Sequence, residues 1–446
     1  MMDLKIRSKM ADNECSMNIN MNEALRGKRL LILGGAVQTL KVVLSAKDMG
    51  VYTIVADIEE NTETKRAADE TLSVSLLDSD ALISWCEKHP VDGVLNFNND
   101  FAQHSHQRIC EHFGFPCYGN KEQYKLLTDK AAFKLFCKEN GVGTIAGYEE
   151  SCLDDNCYPV LVKPAESSGT RGSRVCWNRK ELDDAIVYAR KYTRNKNVLF
   201  EPYMSGKPDF EVLYYVHKGE PYMLYMGDRY LGDKEDGFDR TCVCFAAPSE
   251  YTDYYLSSTH ERVSSMIRNI GLEEAPVFLQ FFYDKGGFRF YDMAIRFPGD
   301  EFISILKKAT GLDFVKEMIM FALTGETEVN EERLSYTYRM NGYSGALIMP
   351  AVRAGVIGSF KGMELIKKLP STVSALQKKH IGDIVEKTGD VRQRACDIAL
   401  MVQGDAEKLK ETILETEQLL SIDDQYGDSM IISRPKKIIS DSWNSI

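Results

Sequence analysis

The sequence predicts an α/β protein with a parallel-sheet domain at its start, a larger central region and an α+β part at its end. Three observations predict this class. Short apolar strands alternate with helical segments from Arg29 onwards, which is typical of a parallel sheet crossed by helices. Long β-type stretches follow Gly206. The part after Tyr343 mixes short strands with a helix at Asp405–Thr416.

The N-terminal domain is predicted over residues 28–120, after a polar extension at residues 1–27. The apolar run RLLIL leads into Gly34 and Gly35, and a second strand ends at Asp57. A strand, a glycine turn and a following acid suggest a dinucleotide-binding unit. The turn reads LGGAVQ, however, and lacks the GxGxxG spacing. We therefore interpret it as a close junction between strand and helix.

The remaining domains are predicted at residues 121–330 (a central region of two lobes), 331–425 (an α+β part) and 426–446 (a tail). The first helix of the central region is expected at Thr128–Asn140, with Thr128 as its N-cap. A long helix is expected at Ser249–Ile270. The strands Val277–Tyr283 and Phe288–Met293 are joined by the sequence DKGG, which predicts a tight hairpin turn.

Composition narrows the classes of partner. A net charge of -11 argues against nucleic acid, because phosphate backbones are held by clustered Lys and Arg. No stretch approaches the ~18 apolar residues of a membrane span, so we expect no membrane partner. The 11 cysteines are scattered and form no CxxC pair, which predicts neither a disulfide framework nor a zinc site and favours the cytoplasm. His104 and His106 lie in a helix-like stretch, point apart, and are interpreted as structural or surface residues.

The segment Tyr158–Gly172 (YPVLVKPAESSGTRG) has the strongest functional signal. It contains a strand, a Lys-Pro root, a loop with serines and glycines, and the start of a second strand. Glycines let backbone N–H groups turn toward phosphate oxygens, hydroxyls add donors, and Lys163 supplies a point charge. The loop is not a P-loop, because GxxxxGK[ST] is absent. Taken alone, such a loop could equally be a structural hairpin.

Neighbouring residues favour phosphate binding. Lys130 begins a helix upstream of the loop. Gln280 and Asp292 fall on two strands joined by a tight turn, where they can face each other across the ladder. Two oxygen donors beside phosphates suit Mg²⁺. Arg296 follows closely and could reach a phosphoryl or carboxylate oxygen.

The order of these motifs resembles the ATP-grasp superfamily. Within it, the similarity is to the carboxylate–amine and amino-acid ligase branch, related to carbamoyl-phosphate synthetase, biotin carboxylase and the purine-pathway ligases. The resemblance rests on YPVLVKPAESSGTRGSRV, VLFEPYMSGKPDFEV and VFLQFFYDKGGFRFYDMAIRFPGDEF, and it extends over about residues 29–404. It implies an ATP-grasp fold with a preceding parallel-sheet domain and a C-terminal cap.

The resemblance also implies a role for each candidate residue. The loop would close over the triphosphate as a lid, Glu201 to Met204 would line the adenine site, and Asp209 would hold the ribose. The implied sets are Arg296 and Lys163 for catalysis; Lys130, Lys163, Ser167, Ser168, Gly169, Thr170, Glu201, Tyr203, Met204 and Asp209 for ATP; Gln280 and Asp292 for Mg²⁺ (or Mn²⁺); and Arg229, Arg392 and Arg394 for substrate.

One position departs from the family pattern. Members usually read Glu-x-Asn-x-Arg on the second metal strand, whereas this chain has Asp292, Ala294 and Arg296 at those places. Ala294 has no donor atom, so a two-metal site would need another ligand, for which Asp300 or Glu301 is a candidate; the alternative is one metal held with more water. A nucleotide-binding protein without catalysis is an alternative interpretation.

The predicted activity is that of an ATP-dependent carboxylate–amine ligase. A substrate carboxylate attacks the γ-phosphate to give an acyl phosphate and ADP, and an amine then displaces phosphate to form an amide. The alternatives are a bicarbonate-activating enzyme of the carboxylase or carbamoyl-phosphate type, and a non-catalytic ATP-binding regulatory protein. The expected partners are small-molecule carboxylates and amines, ATP with its metal, and a second copy of the chain in a homodimer.

Overall fold

The computed structural model of this protein describes residues 23–165, 171–193, 196–204, 206–233, 240–404 and 406–434. The chain divides into two compact units. The first contains the chain up to Lys121 together with Asp313–Val329, and the second contains Glu122–Leu312 and the part from Asn330 onward. Within these described ranges, no helix is long and apolar enough to cross a membrane.

The first unit is built on a four-stranded parallel sheet, as predicted. Its strands are ordered β3-β2-β1-β4, and the inner strand β1 buries four consecutive apolar residues, as expected for a sheet covered on both faces. Its elements up to residue 113 are β1 (Arg29–Leu33), α1 (Leu40–Asp48), β2 (Tyr52–Ala56), α2 (Glu63–Ala67), β3 (Glu70–Leu72), α3 (Ser79–Lys88), β4 (Gly93–Leu95) and α4 (Gln103–Phe113).

The glycine turn after β1 has a structural role. Gly34 has a φ of 118°, which side chains rarely adopt. The Gly35 amide donates a 2.6 Å hydrogen bond to Asp57 Oδ2. Asp57 therefore holds the junction between the first strand and the following helix, in agreement with the interpretation that rejected a dinucleotide site.

The second unit is antiparallel. Its three sheets have the orders β12-β11-β8-β9-β10-β13-β17-β15, β6-β5-β7 and β16-β14-β18. The elements from residue 121 on are α5 (Lys121–Thr128), α6 (Lys130–Glu139), β5 (Val160–Pro164), β6 (Arg174–Cys176), α7 (Arg179–Ala189), β7 (Val198–Pro202), β8 (Asp209–His217), β9 (Glu220–Leu231), β10 (Cys242–Ala247), α8 (Thr252–Ser258), α9 (His260–Arg268), β11 (Glu274–Asp284), β12 (Gly287–Ala294), α10 (Phe302–Thr310), α11 (Phe314–Thr324), α12 (Glu331–Tyr336), β13 (Tyr343–Ile348), β14 (Gly355–Lys361), α13 (Met363–Ile366), β15 (Thr372–Gln377), β16 (Ile384–Val385), β17 (Cys396–Gln403), α14 (Ala406–Leu419) and β18 (Ser421–Asp424).

Helix α11 lies in the first unit, although the sequence placed residues 121–330 together. Its apolar side chains pack against α1 and β4. Gly93 allows this contact, because a Cβ at that position would lie 2.1 Å from the Ala322 carbonyl oxygen. Hydrophobic periodicity indicates that this helix is buried, but it does not indicate which sheet the helix covers.

Local details differ from the predictions at three places. Asp129, and not Thr128, caps α6, and its carboxylate accepts hydrogen bonds from two amides of the first turn. The helix expected at Ser249–Ile270 is divided into α8 and α9 at Thr259. The described part of the predicted tail is packed, since Met430 is fully buried and its carbonyl accepts a hydrogen bond from the Arg353 amide.

The hairpin turn between β11 and β12 was predicted correctly. Lys285 and Gly286 have φ values of 49° and 74°. Positive φ at both central residues is typical of a type I′ turn, which joins antiparallel strands tightly. The turn sets the register as far as Phe281 and Phe290, and an irregularity between Gln280 and Phe281 then shifts it so that Gln280 lies opposite Asp292.

Candidate functional site

Three oxygen-bearing side chains lie side by side on adjacent strands of the second unit. Gln280 of β11 is in register with Asp292 of β12 on one side and with Glu211 of β8 on the other. Gln280 Nε2 donates a 2.9 Å hydrogen bond to Glu211 Oε2, and the Tyr225 hydroxyl donates a 3.1 Å bond to Oε1. The expected pair is therefore present in the ladder, and Glu211 extends it to a row of three.

Lysines from a helix and a strand converge on two carboxylates. Lys130 Nζ lies 3.5 Å from Asp292 Oδ1, and Lys134, one turn further along α6, contacts Glu201 Oε1. Lys163 of β5 lies 2.7 Å from the other oxygen, Glu201 Oε2. We call these five residues the lysine cluster. Three ammonium groups facing two carboxylates leave one positive charge in excess within the set.

Glu201 pairs with two lysines in the structure. It was expected to line the adenine site, but its side chain is 1% exposed and lies between Lys134 and Lys163. Burial alone would raise the pKa of this carboxyl, and the two lysines outweigh burial and hold the pKa below its usual value. Burial in turn lowers the pKa of Lys134, although Glu201 opposes this shift. Glu201 thus orients two lysines as a buried, ionised carboxylate.

Asp209 and Arg229 bind each other. They are opposite in the register of β8 and β9, and Arg229 Nη1 lies 2.5 Å from Asp209 Oδ2. The Tyr291 hydroxyl donates a 2.9 Å hydrogen bond to Asp209 Oδ1. The predicted ribose residue and a predicted substrate residue are therefore partners in one buried ion pair, and both roles stay predictions.

Arg296 lies immediately beyond the strand that contains Asp292. It is half-buried, and its Nη1 donates a 2.9 Å hydrogen bond to the Phe297 carbonyl. The guanidinium carbon lies 4.7 Å from the centroid of the Phe278 ring. Stacking on an aromatic face holds a guanidinium in place while leaving edge N–H groups for other contacts.

The two alternative metal ligands occupy different environments. Glu301 is buried and accepts hydrogen bonds from the hydroxyls of Ser304 and Ser374, at 3.1 and 2.9 Å, which indicates a structural role. Burial raises the pKa of Asp300 to about 7, and the nearby Glu211 carboxylate adds to this shift. Asp300 is therefore the one of the two that interacts electrostatically with the row of oxygen donors.

The two substrate candidates on the C-terminal side of the unit also differ. Arg392 is exposed and grips Asp390 through Nε and Nη2, at 2.9 and 2.6 Å. Arg394 is half-buried, and its Nη2 donates a 2.9 Å hydrogen bond to the Cys242 carbonyl. The Nε of Arg394 is buried and meets no acceptor among the described residues. A buried donor without an acceptor is a candidate for binding a ligand, which favours Arg394.

The predicted lid residues Ser167, Ser168, Gly169 and Thr170 lie outside the described residues. Tyr203 and Met204 follow the end of β7. The Tyr203 amide donates a 3.1 Å hydrogen bond to the Pro159 carbonyl, and the Met204 carbonyl accepts a 3.4 Å bond from the Lys207 amide. These two backbone groups are therefore already paired within the protein.

Two residues of the site were missed from the sequence. Lys134 follows Lys130 by one helical turn and shares its face, so the helix pattern contained the signal. Glu211 alternates with Asp209 along β8, a pattern that also fits the solvent face of a strand, but it is 6% exposed. Its place beside Gln280 depends on strand register, which local sequence does not specify.

This geometry and the similarity to known proteins define the class. Residues 129–328 match the family model of the carbamoyl-phosphate synthase L chain, ATP binding domain. The predicted resemblance to the ATP-grasp superfamily and the predicted fold class are both confirmed.

Individual relatives include enzymes of two kinds. Biotin carboxylase of Allochromatium vinosum is 27% identical over 332 residues, which cover 66% of this chain and 70% of that protein. L-amino acid ligase from Bacillus licheniformis has a TM-score of 0.73 and 18% identity, covering 90% of this chain and 99% of that one. The biotin carboxylase domain of Hydrogenobacter thermophilus 2-oxoglutarate carboxylase, solved with MgADP and bicarbonate, has a TM-score of 0.69 and 19% identity, covering 89% and 90%. At the level of class, the prediction of an ATP-grasp enzyme is confirmed.

Proposed function

We propose that this protein is an ATP-dependent ligase that activates a carboxylate as an acyl phosphate and transfers it to an amine, with release of ADP and phosphate. The observation that carries the proposal is the lysine cluster beside the Gln280–Asp292 pair. An excess of positive charge next to oxygen donors suits a nucleotide triphosphate and its metal ion.

The row of oxygen donors fits Mg²⁺ or Mn²⁺. Asp292 and Glu211 offer carboxylates and Gln280 offers an amide oxygen, which are the hard ligands that these ions take. Glu211 would supply the donor that Ala294 lacks. With ATP bound, a metal ion held by these residues would neutralise charge on the phosphates.

The protein's own groups would act by position and charge. Lys130 and Lys163 would contact phosphate oxygens, and Glu201 would orient Lys163. Arg296, held against the Phe278 ring, would stabilise charge on the transferred phosphoryl group. Arg394, through its buried Nε, would bind the substrate carboxylate.

The segments around the nucleotide complete the proposal. The loop containing Ser167–Thr170 would cover the phosphates as a lid and exclude water from the acyl phosphate. Tyr203 and Met204, at the end of β7, would lie against the adenine ring.

Bicarbonate is the second candidate acid. The specific observation that favours it is the 27% identity to biotin carboxylase over 332 residues. ATP would convert bicarbonate to carboxyphosphate through the same phosphoryl transfer, and a nitrogen nucleophile would then capture the carboxyl group. The two proposals therefore share the lysine cluster and differ in the acid that Arg394 faces.

ADP release distinguishes the proposals. It is measured in buffer depleted of CO₂ with a panel of carboxylates and amines, and again with bicarbonate added. Release that requires both a carboxylate and an amine supports the amide ligase, and release that requires bicarbonate supports the alternative. ATP binding without ADP release under any condition would overturn both and leave the non-catalytic interpretation.

Isotope labelling tests the intermediate. When the active carboxylate carries ¹⁸O, one labelled oxygen should appear in the released phosphate, because the oxygen that attacks phosphorus stays with it when the amine displaces phosphate. Unlabelled phosphate would exclude an acyl phosphate.

A further inference from the structure

A cluster of sulfur and nitrogen donors lies in the first unit, apart from the residues discussed above. His106 and Cys110 lie one turn apart on α4, and Cys117 follows the end of that helix. One donor atom of each residue, an imidazole nitrogen and two sulfurs, lies within 4.8 Å of the other two. We call these three residues the thiol–imidazole cluster.

A glycine turn brings Cys117 back to the helix. Gly114 caps α4 in the left-handed conformation, with a φ of 72°. The Phe115 amide then donates a 2.9 Å hydrogen bond to the Cys110 carbonyl, so the chain folds back along the last turn. The spacing His-x₃-Cys-x₆-Cys is thereby closed in space by the backbone.

The backbone also determines which imidazole nitrogen faces the sulfurs. His106 Nε2 lies 3.1 Å from the Val94 carbonyl oxygen, which can only accept a hydrogen bond. Nε2 therefore carries a proton, and in the neutral ring Nδ1 presents its lone pair 3.8 Å from Cys117 Sγ. Histidines that bind metals commonly have their second nitrogen held by a backbone carbonyl in this way.

The distance between His106 and Cys117 is close to that between two ligands of one ion. Zn–N of ~2.0 Å and Zn–S of ~2.3 Å in a tetrahedral site place nitrogen and sulfur roughly 3.6 Å apart. The observed separation of 3.8 Å is close to this value.

We propose that His106, Cys110 and Cys117 form a binding site for one thiophilic metal ion of the zinc class. Thiolate and imidazole ligands favour Zn²⁺ over Mg²⁺, so this site and the oxygen-donor site of the second unit select different ions. Three protein ligands leave a fourth position for water or an added ligand. His106 and Cys110 are buried, whereas Cys117 is partly exposed and provides the side from which an ion enters.

Binding of Co²⁺ provides the test, because the absorption spectrum of bound Co²⁺ depends on the type and number of its ligands. The full chain, reduced and stripped with a chelator, is titrated anaerobically with Co²⁺. The expected result is uptake of one equivalent, with a thiolate-to-cobalt charge-transfer band in the near ultraviolet and visible bands of tetrahedral coordination. Added Zn²⁺ should abolish both sets of bands. Absence of uptake, or octahedral spectra without the charge-transfer band, would overturn the proposal.

Variants assign the ligands. Cys117→Ser and His106→Ala should each weaken Co²⁺ binding by roughly 100-fold or more, since each removes one of three protein ligands. Cys86→Ala is the matched control, because Cys86 is another buried thiol of the same unit, on α3, and should bind as the wild type does. Circular dichroism shows whether each variant is folded. Unchanged binding by Cys117→Ser would contradict the assignment.

A measurement on the wild type avoids dependence on variants. Zn²⁺ should slow the alkylation of Cys117 by iodoacetamide, as followed by peptide mass spectrometry. A Cys110–Cys117 disulfide in air, combined with no metal uptake after reduction, would replace the metal site with a redox pair and overturn the proposal.

Discussion

Two adjoining groups of charged side chains in the second unit differ in how completely their charges are paired. In the closed group, formed by Asp209, Arg229 and Tyr291, both oxygens of the buried carboxylate accept hydrogen bonds. In the lysine cluster, three ammonium groups face two carboxylates, and Asp292 is 26% exposed. The two groups meet where Lys163 Nζ lies 5.8 Å from the centroid of the Tyr291 ring.

The difference separates a group that stabilises the fold from a group that is suited to binding a ligand. In a closed group the charges are paired with each other, so the group contributes to the stability of the folded state. Breaking it leaves a buried charge without its partner. An open group with excess positive charge is stabilised by an anion, because the anion supplies the negative charge that the group lacks. Proximity to the site does not distinguish the two, because Tyr291 of one group and Asp292 of the other are neighbours on β12.

Breaking the closed group should have the largest effect, and that effect should be on stability. Arg229→Ala leaves the Asp209 carboxylate buried without its cation, and we expect a loss of ~3–5 kcal/mol in the free energy of unfolding. Urea denaturation measures it. Arg268→Ala, which removes a guanidinium from exposed ion pairs, is the control and should cost less than ~1 kcal/mol. Equal losses in the two variants would contradict the distinction.

Breaking the lysine cluster should weaken nucleotide binding more than it weakens folding. Lys163→Ala removes a phosphate partner worth ~1.5–3 kcal/mol, so the Kd for ATP should rise roughly 10- to 150-fold. Lys134 still neutralises Glu201, so the free energy of unfolding should fall less than in Arg229→Ala. Calorimetric titration with ATP measures the Kd. Lys138→Ala, an exposed lysine on the same helix α6, should leave it unchanged.

The two arginines of the C-terminal part extend the comparison to the substrate. Arg394→Ala should raise the KM for the acid about 10-fold, because a charge-assisted hydrogen bond is lost, while the KM for ATP stays the same. Arg392 is already paired with Asp390, so Arg392→Ala should affect stability and not either KM. Steady-state kinetics with each substrate varied tests both statements. A larger rise in the KM for the acid in Arg392→Ala would reverse the assignment.

The last prediction concerns the pH dependence of stability. The pKa of Asp300 is raised from 3.8 to about 7 by burial and by Glu211. Between these values the folded state holds a proton that the unfolded state has lost, so stability falls as the pH rises from about 4 to about 7. Asp300→Asn should reduce this fall. Melting temperatures at pH 5 and pH 7.5 measure it, and identical slopes for the two proteins would rule out the shift.

Prediction from the sequence succeeded where a few neighbouring residues decide the outcome. The β1 strand, the DKGG hairpin and the lysine at the root of β5 all follow from local patterns. The pairing of Asp209 with Arg229 was not predicted because each residue was considered without the other, although they lie opposite each other on paired strands. The thiol–imidazole cluster was missed because its third member, Cys117, lies beyond the end of a helix. No short sequence motif there indicates that the chain folds back along the helix.

The sequence by itself determined the class of the elements, the order of the motifs and the superfamily, because hydrophobic periodicity and turn chemistry act over short stretches of backbone. Only the tertiary structure decided which charges pair, that Glu211 joins Gln280 and Asp292, and that α11 belongs to the first unit. The physical reason is that ion pairing, register and burial depend on distance in space. Residues far apart in the chain become neighbours only when strands align and helices pack.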